Sequence, residues 1–232
     1  MQSKDKANSA AAAARPDLRP IRAPRQDRSR QTMDRVLEAL EGLLDEKPFD
    51  RITMIELAER SGTGTSSIYA RFKDKRSLIL GVHGRLAEQV YPCLEKLLEP
   101  ERAKTRPLRR TVHITLSAIL KFYREHGQMV RAALLVDAPY VYERQVRVYC
   151  YAADKFSALL VDRLPRSVDR KAIDLAADFT VRLVTSVVHQ LLLFKDFRLG
   201  RKPCSDRLLV EQLTDAIMSV IDNATPKAGR GN

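Results

Sequence analysis

The chain has 232 residues, 44% of them hydrophobic and 30% charged, with 41 Lys and Arg against 29 Asp and Glu for a net charge of +12. That length and apolar content allow one or two packed domains and exclude a chain disordered throughout. The basic balance points to an anionic partner, nucleic acid before membrane surface, and is silent on fold.

Residues 1 to 25 are rich in Ala, Pro and Arg and nearly free of large apolar side chains, so a disordered basic arm is predicted there. Through Arg30 this region carries eight cationic residues against three carboxylates. Its apolar run of five alanines is too short for the core of a signal peptide, and no stretch approaches the ~18 apolar residues of a membrane span. Cys93, Cys150 and Cys204 are scattered without paired spacing, which fits a reducing compartment better than a disulfide framework or zinc site. A cytoplasmic protein with no membrane partner is expected.

A first helix is predicted from about 27 to 47, where Met33, Val36, Leu37, Leu40, Leu43 and Leu44 form one apolar stripe before Pro48. Thr53-Met54-Ile55-Glu56 has the spacing of a capping box, with Ile52 and Leu57 placed as a hydrophobic staple. Gly62 supplies the left-handed turn that ends this second helix. A third, over 65 to 72, is built from poor helix formers, with Ile68 and Phe72 as its apolar stripe against Ile55, Ala58 and Leu40 or Leu44. Asp74 caps a fourth helix from Lys75, which Pro92 should bend or interrupt. After a charged connector at 99 to 107, helices are expected over 108–126, 128–136, 139–163, 167–199 and 206–223. No run alternates with period two and no repeat is present, so the fold class is all-α.

Helix, glycine turn, helix over residues 53 to 72 is the pattern of a helix-turn-helix, whose second helix enters the DNA major groove. A groove-seated helix needs one narrow apolar stripe and small polar residues elsewhere. Thr65, Ser66 and Ser67 offer hydroxyls for base edges or phosphates, Tyr69 a hydroxyl on a rigid ring, and Lys75 a cation at a helix start. Charge is segregated along the segment. Residues 71 to 76 carry four cations against Asp74, whereas residues 31 to 70 carry four cations against eight carboxylates.

"TMIELAERSGTGTSSIYARFKDKRSLI" resembles the DNA-binding segment of the TetR family of bacterial transcription regulators, in Thr53, Leu57-Ala58, Ser61-Gly62-Thr63-Gly64, Tyr69, Phe72 and Lys75. The resemblance covers about 28 to 85. It departs at Thr63, where the family has an apolar turn residue, and at Gly64, where it has a Ser cap. It implies a helix-turn-helix domain over 26–85 and a regulatory and dimerisation domain over 86–226, ahead of a disordered tail at 227–232. The DNA-contacting residues expected are Arg28, Arg30, Thr53, Thr63, Thr65, Ser66, Ser67, Tyr69, Arg71 and Lys75, on a palindromic double-stranded operator.

The apolar residues from 173 to 194 are broad enough for either a central helix or an interface. The resemblance implies the second, a homodimer through Leu183, Val184, Val187, Leu191, Leu209, Leu213 and Ile217. It also implies repression relieved by a small effector, for which Phe122, Tyr123, His126, Tyr149, Tyr151, Phe179, Arg182 and His189 are candidate lining residues of an apolar site. The four histidines, at 83, 113, 126 and 189, lack metal-ligand spacing, and His83 and His113 read as residues of helix faces with no special chemistry. No nucleophile motif, Walker loop or dinucleotide fingerprint is present, so neither cofactor nor catalysis is expected. The alternative reading is a helical protein-interaction module that does not bind DNA.

Overall fold

A computed structural model of the chain describes residues 27–99, 105–194 and 204–225. Among these residues there are eight α-helices and no strand: α1 Asp27–Glu46, α2 Met54–Ser61, α3 Thr65–Tyr69, α4 Lys75–Leu97, α5 Leu108–Val136, α6 Ala138–Arg163, α7 Arg170–Leu193 and α8 Asp206–Ala224. A 3-10 turn, Phe49–Arg51, joins α1 to α2. The expected arm at 1–25, the tail at 227–232 and the extension of the seventh helix to Leu199 lie outside the described residues.

One continuous apolar core runs from α1 to α8, and its first part lies among α1 to α4. Val36, Leu37, Leu40, Leu43 and Leu44 of α1 meet Ile52, Leu57, Ile68, Phe72 and Ile79, each almost wholly buried. Truncating any of the leucines to alanine costs on the order of 2–5 kcal/mol, so this stripe decides whether the small domain folds. Charged pairs add register on the same helices. Arg85 of α4 reaches Asp34 at 3.9 Å and Glu38 and Glu41 at 3.6 Å, and Arg60 meets Glu46 at 2.7 Å.

The second part of the core is a bundle in which α4 packs on α5 and α6, α6 on α7, and α8 on α5 and α7. Side-chain caps set most of its helix starts. Asp137 accepts the amide of Tyr140, Asp169 that of Lys171 and Ser205 that of Leu208. Thus α7 starts at Arg170 rather than at Ser167, because the Asp169 carboxylate takes an early amide.

Two expected interruptions are absent. The helices predicted over 108–126 and 128–136 are one, α5, running through Gly127. A Cβ on Gly127 would stand 2.9 Å from Leu192 Cδ2, so the glycine serves helix packing rather than a break. Likewise α4 continues through Pro92 to Leu97. Proline denies the carbonyl four residues back its amide partner; here that residue, Glu88, is exposed, as Pro92 is, and water can take its place.

Candidate nucleic-acid interface and interior cavity

Local sequence builds the helix-turn-helix, called the reading head after its expected role, from α2 upward. The Thr53 hydroxyl accepts the Glu56 amide at 3.2 Å, while the Glu56 carboxylate accepts the Thr53 amide at 2.8 Å and the Thr53 hydroxyl at 2.9 Å. Lys47 at the end of α1 also donates to Glu56. That bond first, and the Thr53 bonds after it, hold the Glu56 carboxyl down at a pKa of about 2. One carboxylate thus fixes the start of α2 and its angle to α1. Gly62 turns the chain at φ +60°, a conformation costly for a side chain.

After the turn, Ile68 and Phe72 are fully buried, and Thr65, Ser66, Ser67, Tyr69 and Ala70 are exposed. The helix proper stops at Tyr69. Its hydrogen bonding nevertheless carries on to Phe72, whose amide donates to the Ile68 carbonyl at 2.9 Å. Partners beneath the stripe differ from those expected. Leu40, Leu44 and Ala58 belong to the core or pack against it, but Ile55 is 66% exposed and is no part of it.

The expected DNA-contacting residues fall into three groups. Thr65, Ser66, Ser67 and Tyr69 share the exposed face of α3, and Arg28 and Arg30 are exposed in the first turn of α1. Thr53, Arg71 and Lys75 already have protein partners. Arg71 donates to the Ser67 carbonyl at 2.8 Å, and Lys75 donates to the Asp50 carbonyl at 3.3 Å while lying 4.7 Å over the Phe49 ring. Burial lowers the Lys75 pKa, against the pull of Asp50 and Glu56. Thr63 is a correction. It is buried, and its hydroxyl donates to the Ser61 carbonyl at 3.3 Å, so it closes the turn in place of an apolar residue and faces no groove.

Charge segregation has a structural cause. Five carboxylates of the small domain, Asp34, Glu38, Glu41, Glu46 and Glu56, are paired with Lys47, Arg60 and Arg85 behind the reading head. Arg76 is similarly paired, with Asp137 at the start of α6. Lys73, which the expected set omitted, is exposed.

In the larger domain, a cavity of about 120 Å³ lies between α4, α5, α6, α7 and α8, and a second of about 80 Å³ adjoins it. Both are lined by Val90, Leu94, Ile119, Tyr123, Val148 and Tyr149, so they are two lobes of one interior space. Of the expected lining residues, Tyr123 and Tyr149 border both lobes and Phe122 borders the smaller. His126 stacks beside Phe122 at 4.8 Å without lining the space. His189 stands behind Tyr149, its Nε2 3.2 Å from the hydroxyl, and Tyr151 packs on Tyr91 instead. Phe179 is 52% exposed and Arg182 is exposed, so neither is a lining residue.

Two expected interface residues move the other way. Val184 and Ile217 are buried and line the larger lobe. Leu183, Val187, Leu191, Leu209 and Leu213 are half-buried, while the apolar side chains exposed on α7 and α8 include Leu175, Phe179 and Leu208. His83 also departs from expectation. It borders the smaller lobe, is 3% exposed, and burial, helped by the nearby Arg144 charge, lowers its pKa to about 4. Sequence periodicity alone did not reveal Thr180 or Gln145, polar residues set among the lining.

No helix among the described residues is long and apolar enough to cross a membrane, and they hold no cluster of three or more residues able to ligate a metal. The described residues thus form a short helix-turn-helix in front of a helical bundle with an interior apolar space. Residues 36–82 match the model of the bacterial regulatory proteins, tetR family. The nucleoid occlusion factor SlmA of Alteromonas mediterranea is 27% identical over 81 residues, 35% of this chain and 42% of that protein, so the chain matches less than half of that relative's length.

Solved structures extend the likeness of fold to most of the chain. A TetR-family transcriptional regulator of Mesorhizobium loti superposes at TM-score 0.64 with 17% identity, covering 85% of this chain and 98% of that one. One from Streptomyces coelicolor does so at 0.60 with 18% identity, over 84% and 83%. NalD, the secondary repressor of the MexAB-OprM multidrug efflux pump in Pseudomonas aeruginosa, follows at 0.52 with 17% identity, over 84% and 98%. The match to the tetR family model is confined to residues 36–82, and the solved structures share the fold over most of the chain.

Proposed function

We propose that the protein is a sequence-specific DNA-binding transcription regulator, a repressor that binds a palindromic operator as a homodimer and is released by a small apolar molecule. The observation that carries the reading is the division of α3, with Ile68 and Phe72 fully buried and Thr65, Ser66, Ser67 and Tyr69 presented outward. Such a helix fits a groove wall by being slim, and its hydroxyls serve bases or phosphates. In a two-fold dimer the two reading helices stand about one DNA turn apart, ~34–36 Å. The exposed Leu175, Phe179 and Leu208 on α7 and α8 support dimerisation through those helices.

Helix α4 supplies the coupling. Its first residue, Lys75, braces the turn beneath the reading head, and its later residues Val90 and Leu94 border the cavity. A molecule that favours one position of α4 over another shifts the spacing of the two heads, which requires a coupling of about 1–3 kcal/mol. NalD, similar in fold, is by its name a repressor of an efflux pump, which supports the repressor reading by analogy.

The test is binding to duplex DNA across a salt series. The logarithm of the association constant should fall linearly with the logarithm of salt, and one palindrome selected from random sequence should bind far tighter than the pool. Absence of duplex affinity even at low salt would reject the proposal in favour of a protein-interaction module.

A further inference from the structure

We infer that the interior cavity selects an uncharged, mostly hydrocarbon molecule carrying one or two neutral oxygen groups, and that Thr115, Thr180 and His83 are the residues that hydrogen-bond it. The inference rests on the effector reading above and gives it a ligand chemistry. Neither lobe is lined by an Asp, Glu, Lys or Arg side chain. An ion entering such a space leaves water without gaining a partner, which disfavours acids and amines at neutral pH.

Polar atoms along the lining divide by whether the protein has already used them. The Tyr149 hydroxyl donates to Gln145 Oε1 at 3.0 Å and also meets His189, so both Tyr149 and Gln145 are committed. Among the fully buried side-chain atoms of the lining residues, three have no protein partner: the hydroxyls of Thr115 and Thr180 beside the larger lobe, and Nδ1 of His83 beside the smaller. Thr180 is 6% and His83 3% exposed, so bulk water does not serve them. An unsatisfied buried polar group is costly, and the great majority in folded proteins are paired. These atoms have almost no surface open to the lobes, so a guest with a hydroxyl, carbonyl or ether oxygen at either end satisfies them by drawing the threonine side chains and the imidazole into a rotamer that faces it. The depressed pKa of His83 keeps its ring neutral, able to donate or accept but not to pair with an anion. Arg144 does not alter this, since it lies outside the lining and donates to the Tyr140 hydroxyl at 2.9 Å, its guanidinium 5.4 Å from that ring.

Four probes of equal chain length separate the chemistries: 1-octanol, 2-octanone, octanoate and octylammonium, titrated calorimetrically into the full chain at pH 7.5. The alcohol and ketone should bind at least about tenfold more tightly than either ion. Thr180→Val, and independently Thr115→Val, should weaken octanol by roughly threefold to tenfold, as expected for one neutral hydrogen bond. Octanoate or octylammonium binding as tightly as octanol overturns the inference, as does failure of all four probes up to their solubility limits. Release of duplex DNA is read separately by fluorescence anisotropy. Preferential binding of the alcohol without any change in duplex affinity leaves the ligand chemistry standing and rejects the effector reading instead.

Discussion

Gly127 of α5 and Leu192 of α7 approach so closely that a Cβ on the glycine would lie 2.9 Å from the leucine's Cδ2. A glycine inside a helix costs about 1 kcal/mol relative to alanine, and here that cost accompanies a close crossing of two long helices. Gly127→Ala recovers the helix propensity but displaces a flexible leucine end. The two effects should nearly cancel, leaving unfolding in urea within about 1 kcal/mol of the parent. Gly127→Val, with two methyls to place at the same point, should lose on the order of 1–3 kcal/mol. A valine variant as stable as the parent would show that the crossing is loose.

The same glycine shows where sequence reading stops. The capping box at Thr53, the turn at Gly62 and the stripe of α1 were legible because each is settled within a few residues of chain. Gly127 looked like a break because its partner stands 65 positions away, and the meaning of a missing side chain depends on what occupies the space. On α7 the apolar residues cover so much of the circumference that no pattern separates inward from outward. Val184 thus turned to the cavity, and Phe179, expected in the pocket, turned out. Ile55 was assigned to the core because its type suits a core, yet the stripe of an eight-residue helix is filled by Leu57 and Ala58.

Lys75 offers a test of the phosphate clamp that its neighbours make informative. Its ammonium is held by the Asp50 carbonyl and the Phe49 ring, a geometry that orients it beside the reading head. Replacing it by methionine keeps the apolar stem over Phe49 and removes the charge together with the hydrogen bond to the Asp50 carbonyl. Lys75→Met should weaken every duplex alike and reduce the slope of log affinity against log salt by about 1.8, the share of two phosphates, one for each protomer of the dimer. An unchanged slope would mean that Lys75 braces the turn and never meets DNA.

Readout of bases predicts a different signature. Thr65 and Ser66 are exposed on α3 with no charge to contribute. Thr65→Val or Ser66→Ala should leave the salt slope intact and change which bases are enriched when binding sites are selected from a random pool. An unaltered site, merely bound more weakly, would place these hydroxyls on the backbone instead.

Assembly depends on which face of α7 meets a second copy. Leu175 is 60% and Phe179 52% exposed, one helical turn apart, and Leu208 on α8 is 41% exposed. Exposed large apolar groups on two long helices favour an interface. Introducing arginine at both 175 and 179 should yield monomers in sedimentation and abolish the cooperative occupation of a palindromic site. Persistence of the dimer would move the interface to the half-buried Leu183, Val187 and Leu191.

His83 should make stability depend on pH over a defined window. Burial first, and the Arg144 charge second, lower its folded pKa to about 4 from an ordinary value near 6.5. The neutral ring is therefore the form the fold favours. Below pH 6.5 the unfolded chain takes up a proton that the folded chain refuses until about pH 4, so stability falls as pH drops through that interval. The contribution is on the order of 3 kcal/mol, fully present above pH 6.5 and lost by pH 4. His189, also lowered by burial, adds in the same direction, whereas Glu56 and Asp74, whose carboxyls are lowered, begin to lose their contributions only as pH falls below about 4.5. Subtracting the urea-unfolding free energies of His83→Leu from those of the parent at each pH isolates the one ring. The difference should slope between pH 6.5 and 4 and be flat above 7. A difference flat throughout would mean that the ring titrates normally and that water already reaches the smaller lobe.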